Sequence, residues 1–251
     1  MQVIRDIGAW TELRRSLGEA TLGFVPTMGA LHRGHVSLME RSRAENDATA
    51  VSVFVNPTQF NDPRDLKNYP RTFEVDVAEA EGAGVDYLLA PEYEALYPEG
   101  YRYRVSENAL SAVLCGASRP GHFDGVLTVV LKLLNIARAH RAYFGEKDYQ
   151  QCLLVQGMAE AFFLQTKIVA CPTVREPDGL AMSSRNVNLA PKERALAPRF
   201  HQALKAGPSV DQIKAALAAA GFEVDYVEER QGRRFGAVRL GKVRLIDNVP
   251  L

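Results

Sequence analysis

The chain has 251 residues, 47% hydrophobic and 24% charged, with a formal net charge of +0. That length suits one large domain, or a medium domain with a small one, of ordinary globular composition. The charge balance leaves no broad basic footprint for nucleic acid, no apolar run approaches the roughly 20 residues of a membrane helix, and Met1–Asp6 lacks a secretory pattern.

The elements are expected in alternation. An apolar run at 22–25 reads as a buried strand, followed by a glycine-containing turn and a helix over 35–44 that begins at or near His35. Residues 49–55 are nearly all apolar, as a central parallel strand requires. A helix over 73–81 is stopped by Gly82-Ala83-Gly84, and a strand at 86–90 ends at Pro91. A short helix at 107–114, a long one at 126–139, a strand at 142–144, a helix at 148–161 and a strand at 167–170 complete this part. The order predicts an α/β fold: a doubly wound, mostly parallel, Rossmann-like sheet over 1–174. Beyond Thr173 the texture changes. Glu176-Pro177-Asp178-Gly179 marks a turn, two helices are expected at 192–206 and 210–220, and three short antiparallel strands at 222–227, 235–240 and 242–246. Residues 175–251 therefore read as a smaller α+β domain. Cys115, Cys152 and Cys171 are scattered and odd in number, which argues against a disulfide framework and for buried thiols in a reducing, cytoplasmic setting.

Chemistry concentrates in five strings. Pro26-Thr27-Met28-Gly29-Ala30-Leu31-His32-Arg33-Gly34-His35 joins a strand to a helix N-terminus, where unpaired N–H groups attract phosphate. His32 and His35 would share one helix face and aim two donors at phosphate oxygens. Zinc would need further ligands that neither a neighbouring Glu nor the cysteines supply. Asn56 and Gln59, after the second strand, offer side-chain amides to a small polar substrate. Arg119–Gly125 reads as a punctuated loop, a lid or a substrate-side wall. Gly145-Glu146-Lys147-Asp148 is a second strand–turn–helix junction: Gly145 permits close backbone approach, Lys147 suits phosphate, and Asp148 suits a ribose hydroxyl or hydrated magnesium. Gln151 follows one turn later. Met182-Ser183-Ser184-Arg185 supplies two hydroxyls and a guanidinium that can clamp a triphosphate.

In series, these strings closely resemble the pantothenate synthetases, the ATP-dependent pantoate–β-alanine ligase family, within the wider His-x-Gly-His nucleotidyltransferases. The matching pieces are 26–35, 54–60, 119–126, 144–151 and 175–186. The resemblance implies condensation of pantoate with β-alanine through a pantoyl adenylate, with release of AMP and pyrophosphate. It implies an ATP site built from Met28, Gly29, Ala30, Leu31, His32, Arg33, Gly34 and His35, from Gly145, Glu146, Lys147 and Asp148, from Val174, and from Met182, Ser183, Ser184 and Arg185. Within that site His35, His32 and Lys147 would be catalytic and His35 the usual proton donor. Gln59 and Gln151 would bind pantoate and Gln59 also β-alanine. Magnesium would come with ATP, held mainly by the phosphates with Asp148 beside them, and the assembly would be a homodimer. The chain departs from the family after Leu196, where it looks shorter than usual, although 239–248 still resembles the family's ending.

Overall fold

The computed structural model describes residues 1–251. Its first part runs β1 (Gln2–Ile4), α1 (Ile7–Ser16), β2 (Leu22–Thr27), α2 (Arg33–Glu45), β3 (Ala48–Val53), α3 (Pro63–Asn68), α4 (Phe73–Gly82), β4 (Tyr87–Leu89), α5 (Tyr93–Leu96), α6 (Cys115–Ser118), α7 (His122–Ala137), β5 (Arg141–Gly145), α8 (Tyr149–Ala161) and β6 (Lys167–Cys171). The six strands form one sheet in the order β1-β4-β3-β2-β5-β6, every pair parallel. Alternation along the strands sends successive side chains to opposite faces. Leu22 and Phe24 of β2 face α7 and α8 through Val126, Leu133 and Val155, while Val25 faces α2 and α4 through Met39 and Ala80.

The second part comprises α9 (Pro191–Leu196), α10 (Pro198–Ala206), α11 (Val210–Ala219) and an antiparallel meander of β7 (Glu223–Arg230), β8 (Arg233–Leu240) and β9 (Val243–Pro250). It has its own core around Phe200, Leu204, Ile213 and Val238. No helix in the molecule is long and apolar enough to cross a membrane. The three cysteines are free and buried.

Four expectations need correction. Helix α2 starts at Arg33 rather than His35, because His32 is its N-cap. Residues His122–Gly125 are not loop: His122 begins α7 earlier than expected, and Arg138 ends it earlier. The helix expected at 107–114 reduces to a 3-10 turn, Leu110–Ala112, because the Glu107 carboxylate accepts hydrogen bonds from the N–H groups of Ala109, Leu110 and Ser111 and so competes with a helical ladder. The helix expected at 192–206 is two, since Pro198 has no N–H to continue the ladder. β1 and α1 carry little pattern of their own, and β1 is three residues long. Its place at the sheet edge beside β4 is a tertiary outcome.

Candidate active site

Strand order reverses between β2 and β5, which are neighbours in the sheet. In an open parallel sheet the crevice outside the carboxyl ends at such a point is where ligands bind. The turn after β2 carries His32 and His35, and the turn after β5 carries Lys147. All three line a single cavity of about 230 Å³.

The histidine turn is held by its own backbone. The His32 Nδ1 accepts from the Gly34 N–H at 3.1 Å, and the His35 Nδ1 accepts from the His32 N–H at 3.3 Å. Both rings are thereby fixed as tautomers with the proton on Nε2. The rings lie 4.1 Å apart, tilted by 32°. Gly34 is required here, because a Cβ on it would sit 2.8 Å from His32 Cε1. The helix donors are partly spent inside the turn, so the imidazoles present the donating N–H groups in their place. Upstream, the Ala30 and Leu31 N–H groups donate to the Asp76 carboxylate at 3.0 and 2.8 Å, and Thr72 donates to it as well. Asp76 is 1% exposed. It anchors the turn from α4, and its signal in the sequence is an acid on the same helical face as Phe73 and Ala80.

Two further walls close the cavity. Lys147 Nζ lies 3.6 Å from Asp148 Oδ2. Its loop is clamped by the second sheet: the Asn248 amide donates to the Glu146 and Lys147 carbonyls at 2.8 and 3.1 Å, and Arg233 pairs with Glu146 at 2.9 Å. The 182–185 segment reaches the cavity from the start of the second part. There Tyr69 Oη lies 3.3 Å from Ser184 Oγ, and Arg185 pairs with Asp65 at 3.0 Å. Tyr69, which lines the cavity, and Asp65, which holds Arg185 from behind it, were announced by no sequence motif, since they belong to a short segment with no periodicity.

The amide-bearing wall sorts structural from available groups. Asn56 is 1% exposed. Its Oδ1 accepts from Thr58 and Tyr97, and its Nδ2 donates to Gln59 Oε1 and the Gly125 carbonyl. Asn56 does line the cavity, but its amide is committed to the protein, which leaves it no spare donor with which to grip a substrate. Gln59 keeps its Nε2 free. Gln150 is likewise internal, donating to Leu110 and Val113 carbonyls and accepting from the Cys115 N–H. Gln151 is the one of that pair that lines the cavity.

Of the expected site residues, Met28, His32, Gly34, His35, Gln59, Gly145, Lys147, Asp148, Gln151, Val174 and Met182–Arg185 converge on this cavity. Gly29, Ala30, Leu31, Arg33 and Glu146 are not among its lining. Ala30 and Leu31 are turned to Asp76, Arg33 pairs with Glu40 on the surface at 2.6 Å, and Glu146 pairs with Arg233. No group of three or more His, Cys, Asp or Glu side chains gathers in metal-binding geometry.

Burial dominates the electrostatics. It lowers the His32 ring to about 4, with Lys147 adding to the effect, and the His35 ring to about 3, with His32 and Lys147 adding to it. His122, behind Gln59, falls to about 3 through burial and the adjacent Arg119. All three are neutral in the folded protein near pH 7. In the unfolded chain they take up protons near 6.5. Stability is thus full above pH 6.5 and falls as the pH drops toward the folded values, by up to about 1.4 kcal/mol per pH unit for each ring. His122→Gln is expected to flatten this acid limb by about that slope in urea titrations. An acid limb as steep as in the parent chain would show that His122 is not buried neutral.

Three comparisons bear on this geometry. A family described as pantoate-beta-alanine ligase matches residues 1–250. A pantothenate synthetase of Bdellovibrio bacteriovorus is 54% identical over 250 residues, which span 100% of this chain and 99% of that protein. The compact ending after Leu196 is therefore shared with this relative. A crystal structure of pantoate-beta-alanine ligase from Francisella tularensis, complexed with beta-gamma ATP and beta-alanine, superposes with a TM-score of 0.96 at 41% identity, covering 100% of this chain and 97% of that one. The pantothenate synthetase of Thermus thermophilus gives 0.92 at 44% identity, covering 100% and 99%.

Proposed function

This chain belongs to the pantoate–β-alanine ligase family, and from that premise we propose a division of labour among its residues in the ATP-dependent condensation of pantoate with β-alanine to pantothenate. In the first step a pantoate carboxylate oxygen attacks the α-phosphorus of ATP. The bond from that phosphorus to the bridging oxygen breaks, and pyrophosphate leaves. In the second step the unprotonated amine of β-alanine attacks the acyl carbon of pantoyl adenylate. A C–N bond forms, the acyl–oxygen bond breaks, AMP leaves and the amine sheds a proton. Both nucleophile and electrophile of the first step are anionic, so the site must supply positive potential and donors where charge builds. The Nε2–H groups of His32 and His35 and the Lys147 ammonium do so on one side. Ser183, Ser184 and Arg185 hold the phosphates on the other. Gly145, Asp148, Met28 and Val174 flank the nucleotide. Gln59 and Gln151 orient pantoate, with the free Gln59 Nε2 also facing the incoming β-alanine. The residues chiefly position and neutralise, and no protein nucleophile is needed.

The observation that carries this assignment is the convergence of the imidazole pair and Lys147 on one cavity at the switch point. Magnesium fits as a component of the ATP complex. Asp148 is a lone carboxylate on the wall, suited to a metal-bound water and unable by itself to hold a resident ion. The smaller second part, 175–251, serves as the lid. We further infer a homodimer, checked by light scattering, and a cytoplasmic location, in keeping with three free buried thiols. The decisive assay is exchange of labelled pyrophosphate into ATP. It is expected to depend on pantoate and to proceed without β-alanine, with AMP accumulating only once the amine is added. Exchange that ignores pantoate would overturn the reading.

A further inference from the structure

Two arginines line the cavity, and they differ in one respect. Arg185 has Asp65 at 3.0 Å. Arg119 has no carboxylate within ion-pairing distance. Its Nη1 meets His122 Nε2 at 2.9 Å, and its Nη2 donates to the Gln59 carbonyl at 3.1 Å. A guanidinium has five N–H donors, so three remain for a ligand. The other arginine nearby, Arg244, already has Asp225 at 2.7 Å. Burial and these two cations, Arg185 and Arg244, pull the Arg119 guanidinium down to about 10, the direction expected where a cation lacks a counter-charge.

We propose that Arg119 is the receptor for the carboxylate of β-alanine and thereby selects an ω-amino acid over a simple amine. This rests on the ligase reading above. The chemistry distinguishes the two carboxylates in play. Pantoate's carboxylate must lie against the α-phosphorus and ceases to be an anion once it is adenylated. The carboxylate of β-alanine stays charged throughout the second step, and a permanent unpaired cation matches a permanent anion. Arg119 also grips the main chain of Gln59, so the receptor and the pantoate-orienting amide move as one unit. His122 reinforces it, accepting from Arg119 on one nitrogen and donating to the Gln59 carbonyl at 2.8 Å with the other.

The test is a selectivity ratio. kcat/KM is measured for β-alanine and for 3-aminopropanamide, which has the same amine and spacing but no charge. The parent chain is expected to prefer β-alanine by about 100-fold or more, as a charged receptor discriminates against a ligand lacking its partner. Arg119→Met is expected to bring the ratio to within about threefold of unity, and Arg119→Lys to keep an intermediate preference. A purely structural role would lower both values in parallel and preserve the ratio, and that outcome overturns the proposal, as does an unchanged ratio without loss of rate. Pyrophosphate exchange by the parent chain tests the ligase reading separately, since it needs neither amine.

Discussion

Replacing His35 by alanine is expected to lower pantoate-dependent pyrophosphate exchange by about 10²–10³-fold, the cost of losing one preorganised donor to a developing charge. The reason lies in the ring's setting. Its Nδ1 is occupied by the His32 N–H, so its only proton is on Nε2. Burial with His32 and Lys147 nearby keeps the ring neutral, at about 3. It therefore acts as a fixed dipole that needs no reorganisation and no titration. The loss in His35→Ala is accordingly expected to be the same at about pH 6.5 and about pH 8.5, well above that value. His35→Gln, which retains an N–H donor on a shorter reach, should recover part of the rate. A loss below about threefold, or one that deepens with falling pH as a cationic ring would require, would contradict this role.

Gly125→Ala is expected to be the other severe change, although Gly125 touches no substrate. A Cβ at that position would lie 2.5 Å from the Thr58 carbonyl oxygen and 2.8 Å from Gln59 Cα, both main-chain atoms that cannot swing aside. Helix α7 and the Pro57–Gln59 turn are packed backbone to backbone, and the Gly125 carbonyl also accepts from the Asn56 amide at 3.1 Å. The methyl must push the turn, and Gln59 with it, away from α7. Overpacking of this kind costs about 1–3 kcal/mol of stability. A displacement near 1 Å of a positioning group costs about 10²-fold in rate, so kcat/KM for pantoate should fall by that order. Thermal melting and pantoate saturation kinetics check the two parts. Unchanged pantoate kinetics with a lowered melting temperature would mean that the turn does not position the substrate.

The five motif strings were legible as a series: three carry residue types that ordinary turns do not need (paired imidazoles, a lysine after a glycine turn, serines before an arginine), and the other two, ordinary by themselves, gained meaning from their place in the order. The parallel sheet was legible for a similar reason, since β2 and β3 are apolar on both faces. Other features were not. Asn56 and Gln59 look alike as two amides after a strand, as do Gln150 and Gln151 side by side. Which member of each pair keeps an uncommitted amide depends on the neighbours that use up the other, namely Thr58, Tyr97 and Gly125 for Asn56, and Cys115, Leu110 and Val113 for Gln150. Likewise Ala30, Leu31 and Arg33 sit inside the most telling string yet turn away from the cavity, toward Asp76 and Glu40.

The resemblance of the five strings, in their order, pointed to the family, and the two periodicities, helical and extended, to the α/β class; both were open to the sequence because they depend only on residue type and local spacing. Strand order, the reversal between β2 and β5, the bracing of the Lys147 loop by Asn248 from the far end of the chain, and which of the two cavity arginines is left without an acid were decided by packing. They are long-range matters: each depends on which distant side chain arrives first at a shared donor or acceptor, and no local pattern records that.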